Sequence, residues 1–540
     1  MPNEASGPVS WAAPEPVELW EETIGQLLDR VAAGCPDRDA LVFAAPGADP
    51  RQWTYREFTD ESRRVAQALL CFFSPGENVA VWSPNCAEWV LLQHGAARAG
   101  IRLVTVNPAY VARELRYVLR QSRSAGLFFA SAYRDADQAA VVREVVPSLA
   151  GLRVSFPLDD WDAFLASADP ATALPSLTPG DGAMIQYTSG TTGEPKGVLL
   201  SHRGIVNSAR LVAERAEFAD GVVTVNAMPL FHIGGCGTME IGTFSRAGTY
   251  VLAPGFDAAH MLALIERFRG TAALAVPTML IALLEHPDRS ARDLSSLRTI
   301  LSGGAPVPAE LVRRVKSGFG ARFSITFGQT ETSGPAIQTS VRDAERDQAE
   351  TIGRPLPGMS ARITDLDKGT VVPCGTQGEI QLRGPLVMLE YFGRAEDTAR
   401  AVDAEGWLHT GDLGVMDERG FITVTGRSRD VINRGGEKVY PREVEDVLFQ
   451  HEAVSDVAVI GIPDERWGER VAAVIRVVSE ADAPSAAELR AYCAANLARY
   501  KIPAEWYFVP AFPQTPSGKI QKFVLREEIA ARRLGVPAAV

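Results

Sequence analysis

The chain has 540 residues, 46% of them hydrophobic and 22% charged; it is too long for one compact core, so at least two domains are expected. Its net charge of −12 excludes a duplex or membrane-surface binder, which needs a basic face. The most apolar window, 272–284, contains Pro277 and Thr278 and falls well short of the roughly 18 apolar residues of a membrane span.

Residues 1–17 read as a loose tail without the apolar core of a secretory signal. Residues 22–33 have helical spacing and 40–43 read as a strand. Thr54 with Glu57 forms a capping-box pattern that opens a helix running to Leu70. A strand over 78–82, a helix over 87–99 ending at Gly100, and a strand over 101–106 follow. Alternating strands and helices predict a parallel sheet covered on both faces. Six cysteines without a CxxC pair read as reduced core residues in a cytoplasmic protein. The chain has seven lysines against 47 arginines, a skew that fits a GC-rich bacterial genome. Three of those lysines, Lys196, Lys438 and Lys519, stand in glycine-rich motifs.

Residues 170–181 are a Pro, Ser and Thr-rich connector. The run AMIQY then reads as a buried strand, YTSGTTGEPKGV as a loop, and VLLSHRGIV as a strand remnant followed by a helix. A loop of glycines and hydroxyls (Thr188, Ser189, Gly190, Thr191, Thr192) with Lys196 suits a polyphosphate: glycines let N–H groups turn inward and hydroxyls add donors. It is not a Walker loop, because Pro195 precedes Lys196. Strands over 224–228, 249–252, 272–276, 297–301 and 322–326 follow. Those at 224–228, 297–301 and 322–326 end in PLFHIGG, SGGAPVP and FGQTETSG, so the special residues recur after strands, on the edge where open α/β sheets bind ligands. Beyond a strand at 421–425, GRSRDVINRGGEKVY opens a domain of shorter elements. These are a helix from Pro441, strands near 454–460 and 471–477, a helix capped by Ser485 and Glu488, and a strand near 506–509. The expected domains are 1–428 and 429–540.

YTSGTTGEPKGV, with TGD, GRSRD and PSGK, resembles the signature of the acyl-adenylate-forming enzymes. VNPAY, VMLEYFG, GRSRDVINRGGEKVYP and SGKIQKFVLRE look most like medium-chain or aryl acid–CoA ligases. The resemblance implies an α/β fold: a large N-terminal domain of layered, mostly parallel sheets and helices, and a small mobile C-terminal α+β domain. It implies that Thr330 bonds the α-phosphate and Glu331 holds Mg²⁺, a cation satisfied by one carboxylate, phosphates and water. Gly303, Gly304, Ala305, Phe327 and Gly328 would hold adenine. Phe327 lacks the hydroxyl of the tyrosine common there. Asp412 would accept from the ribose, with Arg427 as second contact. His232 would stand at the mouth of the acid pocket, and Lys519 would reach in from the small domain.

The implied reaction is ATP-dependent formation of an acyl-adenylate from a small carboxylic acid, with pyrophosphate release. The small domain then turns about Arg429, and Gly436 and Lys438 come to the site as CoA attacks. Relatives usually carry asparagine at Lys438, and the loop at Asn433–Arg434 is usually more apolar. An amine, a carrier-protein thiol, or nitrite in aryl-amine diazotisation for natural-product (antibiotic) biosynthesis therefore stand as alternative acceptors. A luciferase-like oxygenase and a non-catalytic ATP-binding module are the remaining alternatives.

Overall fold

The computed structural model describes residues 9–188, 195–435, 437–464, 466–479, 483–515, 520–535 and 537–538. Local signals become element ends. The Thr54 hydroxyl accepts from the Glu57 N–H and the Glu57 carboxylate accepts from the Thr54 N–H, which opens the helix Tyr55–Leu70. Ser485 and Glu488 do the same for the helix Ala486–Asn496. The helix Ala87–Ala99 stops at Gly100, whose φ of 67° is the left-handed conformation glycine tolerates.

Among the described residues, two large mixed sheets form the body of the chain. In one, the strands Gly182–Thr188, Arg102–Val106, Asn78–Trp82, Ser124–Phe129 and Val154–Pro157 run parallel. In the other, Arg322–Gln329, Thr299–Gly303, Ala272–Leu274, Val223–Asn226, Thr249–Leu252 and Asp39–Phe43 run parallel. Parallel strands put their carboxyl ends on a shared edge, so the loops after Asn226, Gly303 and Gln329 emerge together. The helices Ala87–Ala99 and His202–Arg215 are buried on nearly all sides, as helices lying between sheets must be. A third sheet is antiparallel, in the order Trp11–Ala12, Ser360–Thr364, Gly378–Arg383, Leu408–Met416, Ile422–Arg427. A short turn, Ser428–Asp430, leads to a smaller sheet built on the antiparallel pair Val454–Asp464 and Gly468–Val477. The expected fold class therefore stands, and the antiparallel third sheet is added to it.

Four expectations need correction. The start of the chain is pinned from residue 9 onward: Trp11 and Ala12 pair with Arg362 and Ala361, Ser10 is fully buried, and the Trp11 ring meets Trp407 edge-on at 5.2 Å. The segment after the phosphate loop is a full strand, Lys196–Ser201, antiparallel to Gly182–Thr188, so that loop closes a hairpin. The stretch read as one loop before Pro441 contains the paired strands Ile432–Arg434 and Glu437–Val439. The cysteines are free, but only Cys236 and Cys493 are buried, and Cys71 is exposed.

Between the large sheets, His94 Nε2 lies 2.7 Å from Glu240 Oε1, with both side chains inaccessible. Gln93 Nε2 donates to the same oxygen at 3.0 Å and to the Cys236 carbonyl at 3.1 Å. Burial lowers the His94 pKa to about 3 and raises that of Glu240 well above its ordinary value, so the pair is neutral. The sign of each contribution follows from linkage. The lowered His94 value removes stability as pH falls below its unfolded value near 6.5. The raised Glu240 value removes stability as pH rises above about 4.5. Glu240→Gln should therefore match the parent in thermal stability at pH 5 and exceed it at pH 9, read from melting curves across that range. A loss that grows with pH would mean that the pair is ionised.

Candidate active site

The hairpin supplies the first wall. Its strands are nearly all buried, and Thr188 pairs with Lys196 at the mouth. The predicted phosphate groups Ser189, Gly190, Thr191 and Thr192 lie outside the described residues. Tyr117 Oη donates to the Pro195 carbonyl at 2.8 Å. Lys196 is half-buried: its Nζ lies 3.0 Å from Asp397 Oδ1 and 5.0 Å from the centre of the Tyr391 ring. Arg400 and Arg394 bond the same Asp397 carboxylate. These partners, first the Arg400 and Lys196 hydrogen bonds, hold Asp397 far below the usual carboxylate range.

The second wall is the end of strand Arg322–Gln329 and the single turn Thr330–Thr332. Two glycines allow it. A Cβ on Gly328 would stand 2.1 Å from the Gly334 carbonyl, and one on Gly303 would stand 2.2 Å from the Thr326 carbonyl. Either clash would push apart strands that must touch. The turn leaves through Ser333, which is buried at φ 55°, a costly conformation for a non-glycine residue. Its Oγ donates to the Leu386 carbonyl at 2.9 Å. Thr330 and Glu331 are half-buried on this turn. Glu331 Oε1 accepts from Tyr391 Oη at 2.8 Å, and its carbonyl accepts from the Met388 N–H at 2.8 Å.

Gln329 joins this turn to the third sheet. Its Nε2 donates to Asp412 Oδ2 at 2.8 Å and to the Thr410 carbonyl at 2.7 Å. Arg427 Nε lies 2.9 Å from Asp412 Oδ1, and Asp412 is nearly buried. Each of its oxygens keeps a second lone pair for a hydroxyl donor. Gly304 is exposed, while Ala305 and Phe327 are half-buried beside it on adjacent strand ends.

On the remaining side, His232 is half-buried, with its ring 4.3 Å from Phe231. The segment Gly234–Met239 that follows is a π-helix, a distortion common at functional sites. The structure thus gathers Thr330, Glu331, Phe327, Gly328, Gly303, Gly304, Ala305, Asp412 and Arg427, with Lys196 joined through Tyr391. Lys438 lies away from this group, exposed on the hairpin strand Glu437–Val439. Asp365 is held below its ordinary pKa chiefly by the Lys368 and Asp367 N–H groups, with Lys438 adding to the effect. Gly436 and Lys519 lie outside the described residues.

Sequence reasoning missed Gln329, Tyr391 and Asp397. Gln329 stands inside FGQTETSG and Tyr391 inside VMLEYFG, but their partners are 83 and 60 residues away. Among the described residues there is no cluster of three or more metal-ligating side chains. A lone carboxylate fits Mg²⁺, which draws its other ligands from phosphates and water.

The family model described as AMP-binding enzyme matches residues 28–392, and that of its C-terminal domain matches residues 443–519. A putative acyl-CoA synthetase, YngI, of Bacillus subtilis is 38% identical over 95% of this chain and 98% of its own. The mitochondrial medium-chain acyl-CoA ligase ACSF2 of Bos taurus is 34% identical over 95% of this chain and 88% of its own. The solved anthranilate CoA ligase AuaEII, in complex with anthranoyl-AMP, is 29% identical with a TM-score of 0.86, covering 95% of this chain and 99% of its own. With a family match over most of its length and a site built from the matching motifs, the chain belongs to the AMP-binding enzyme family and is an ATP-dependent, AMP-forming ligase.

Proposed function

We propose that the chain joins a carboxylic acid to CoA through an acyl-adenylate. The observation that carries this reading is the turn Thr330–Thr332, flanked by bonds to Asp412 on one side and Tyr391 on the other. It presents a hydroxyl and a carboxylate where a nucleotide's phosphates would lie between a ribose acceptor and a phosphate hairpin. The acid attacks the α-phosphate in line and pyrophosphate leaves. Charge builds on phosphate oxygens, where fixed donors and cations stabilise it most. The Thr330 hydroxyl, the 188–197 loop with Lys196, and Lys519 supply those groups. Asp412 holds the ribose with Arg427, the 303–305 loop and Phe327 hold adenine, and His232 borders the acid. Mg²⁺, held by Glu331, would neutralise the polyphosphate.

The small domain, 429–540, serves both half-reactions by turning about Arg429, where the turn Ser428–Asp430 joins the two sheets. The bond from Arg442 Nη2 to the Val307 carbonyl, at 3.0 Å, joins the two domains and would break in that motion. CoA as acceptor is supported by the surface beside the 434–437 hairpin tip. Trp467 is 41% exposed there, with the Arg466 and Arg434 guanidinium carbons 4.8 and 5.9 Å from its ring, and its carbonyl accepts from the Gly435 N–H at 2.7 Å. An open indole with two guanidinium groups suits an adenine ring and phosphates. Nitrite and a carrier protein gain no support from the comparisons. A cytoplasmic, bacterial enzyme fits the free cysteines and the arginine skew.

The direct test is a panel of aliphatic and aromatic acids assayed for pyrophosphate release with ATP, with and without CoA. At least one acid should give AMP, pyrophosphate and a thioester in equal amounts. Consumption of an added amine in place of CoA would overturn the acceptor assignment. Lys519→Ala should slow acyl-adenylate formation by at least ~10²-fold, yet still convert supplied acyl-adenylate to thioester in single-turnover assays. Trp467→Ala should raise the KM for CoA about 10-fold, from stacking worth ~1–3 kcal/mol, and leave ATP–pyrophosphate exchange unchanged.

A further inference from the structure

We propose that Tyr391 is the positioning residue that sets the Glu331 carboxylate, and that it does so from a strand fastened to the phosphate hairpin. This rests on Glu331 being the magnesium ligand of the proposed reaction. Tyr391 is 8% exposed. Its two-residue strand, Glu390–Tyr391, pairs with Leu199 and Val198 of the hairpin. The backbone is tied on either side by the Leu389 N–H to the Leu199 carbonyl at 3.0 Å and the Phe392 N–H to the Gly197 carbonyl at 2.8 Å. The Tyr391 N–H itself donates to Thr398 Oγ1 at 2.9 Å. The ring has no freedom to follow Glu331, so Glu331 must follow the ring.

The same segment holds the Glu331 turn at three points. Leu386 accepts from Ser333 Oγ, the Met388 N–H donates to the Glu331 carbonyl, and Tyr391 Oη donates to Glu331 Oε1. The first two place the backbone; only the third stops the carboxylate from rotating. With Oε1 held, Oε2 has one direction in which to meet a cation. The Lys196 ammonium, 5.0 Å from the centre of the same ring and itself paired with Asp397, joins the position of the carboxylate to that of the hairpin mouth. One tyrosine therefore keeps the metal ligand and the phosphate hairpin in register.

Tyr391→Phe keeps the ring and its Lys196 contact and removes only the hydroxyl. The probe is Mn²⁺ binding to the enzyme–ATP complex by electron paramagnetic resonance. It is read beside the Mg²⁺ concentration for half-maximal pyrophosphate release, the KM for the acid and the melting temperature. Tyr391→Phe should weaken Mn²⁺ binding about 10-fold and raise the Mg²⁺ requirement equally, with the acid KM and melting temperature unchanged. In a Glu331→Gln background the second change should add nothing, since the two residues act as one unit. If Glu331→Gln weakens Mn²⁺ binding and Tyr391→Phe does not, this proposal is overturned alone. If neither weakens it, the assignment of Glu331 falls as well. Additive effects in the double variant would also overturn the proposal, because Tyr391 would then act elsewhere.

Discussion

The turn Thr330–Thr332 is the place where three sheets must agree. It ends a parallel strand of the second large sheet, receives Tyr391 from the first, and is bound through Gln329 to Asp412 of the antiparallel third. The side chains in these bonds come from residues 60 to 83 positions apart, so the turn takes its shape from the assembled domain. The left-handed Ser333 backbone is the strain this imposes, and a buried network of satisfied bonds is what can sustain it. Thr330, Asp412 and the 303–305 loop keep their spacing because their supporting strands share this junction.

The interior between the large sheets is organised differently. The π-helix Gly234–Met239 and the neutral His94–Glu240 pair lie between the large sheets, away from water. An ionised carboxylate there would bring a large desolvation cost, and burial keeps both groups uncharged instead. The charged side chains of the candidate site thus stand at the strand edge, while the His94–Glu240 pair in the interior is uncharged.

Elements whose ends carry a backbone signal were legible in the sequence. The strand Asn78–Trp82, the helix Ala87–Ala99 with Gly100, and the Thr54 and Ser485 caps stand where spacing and capping chemistry place them. The return strand Lys196–Ser201 was read as a remnant because a short apolar run gives no period to distinguish a strand from a helix start. The Trp11–Ala12 strand was read as a tail because two residues carry no pattern, and their partners Arg362 and Ala361 are 351 and 349 positions away. The motif residues of the site were legible because glycines and hydroxyls cluster. Gln329, Tyr391 and Asp397 were not, because a side chain aimed at a distant carboxylate or ammonium leaves no local trace.

Those distant partners bear on how the proposed reaction is divided between domains. Lys196 and Arg427 are the two cations that the motifs place in the large domain, and each is held by a carboxylate, Asp397 and Asp412 respectively. These pairings fix where each cation stands: Asp397 is shared by Lys196, Arg394 and Arg400, which leaves positive charge beside the hairpin mouth, and Arg427 stays partly exposed on its carboxylate. In the proposed reaction, Mg²⁺ on Glu331 and Lys519 on the small domain add to that charge as pyrophosphate departs. A cation carried on a separate domain can be withdrawn once pyrophosphate has left, which clears the approach for a thiol. In the proposed reaction, carrying Lys519 on the other side of the 428–430 turn lets one site stabilise a charge and then release it.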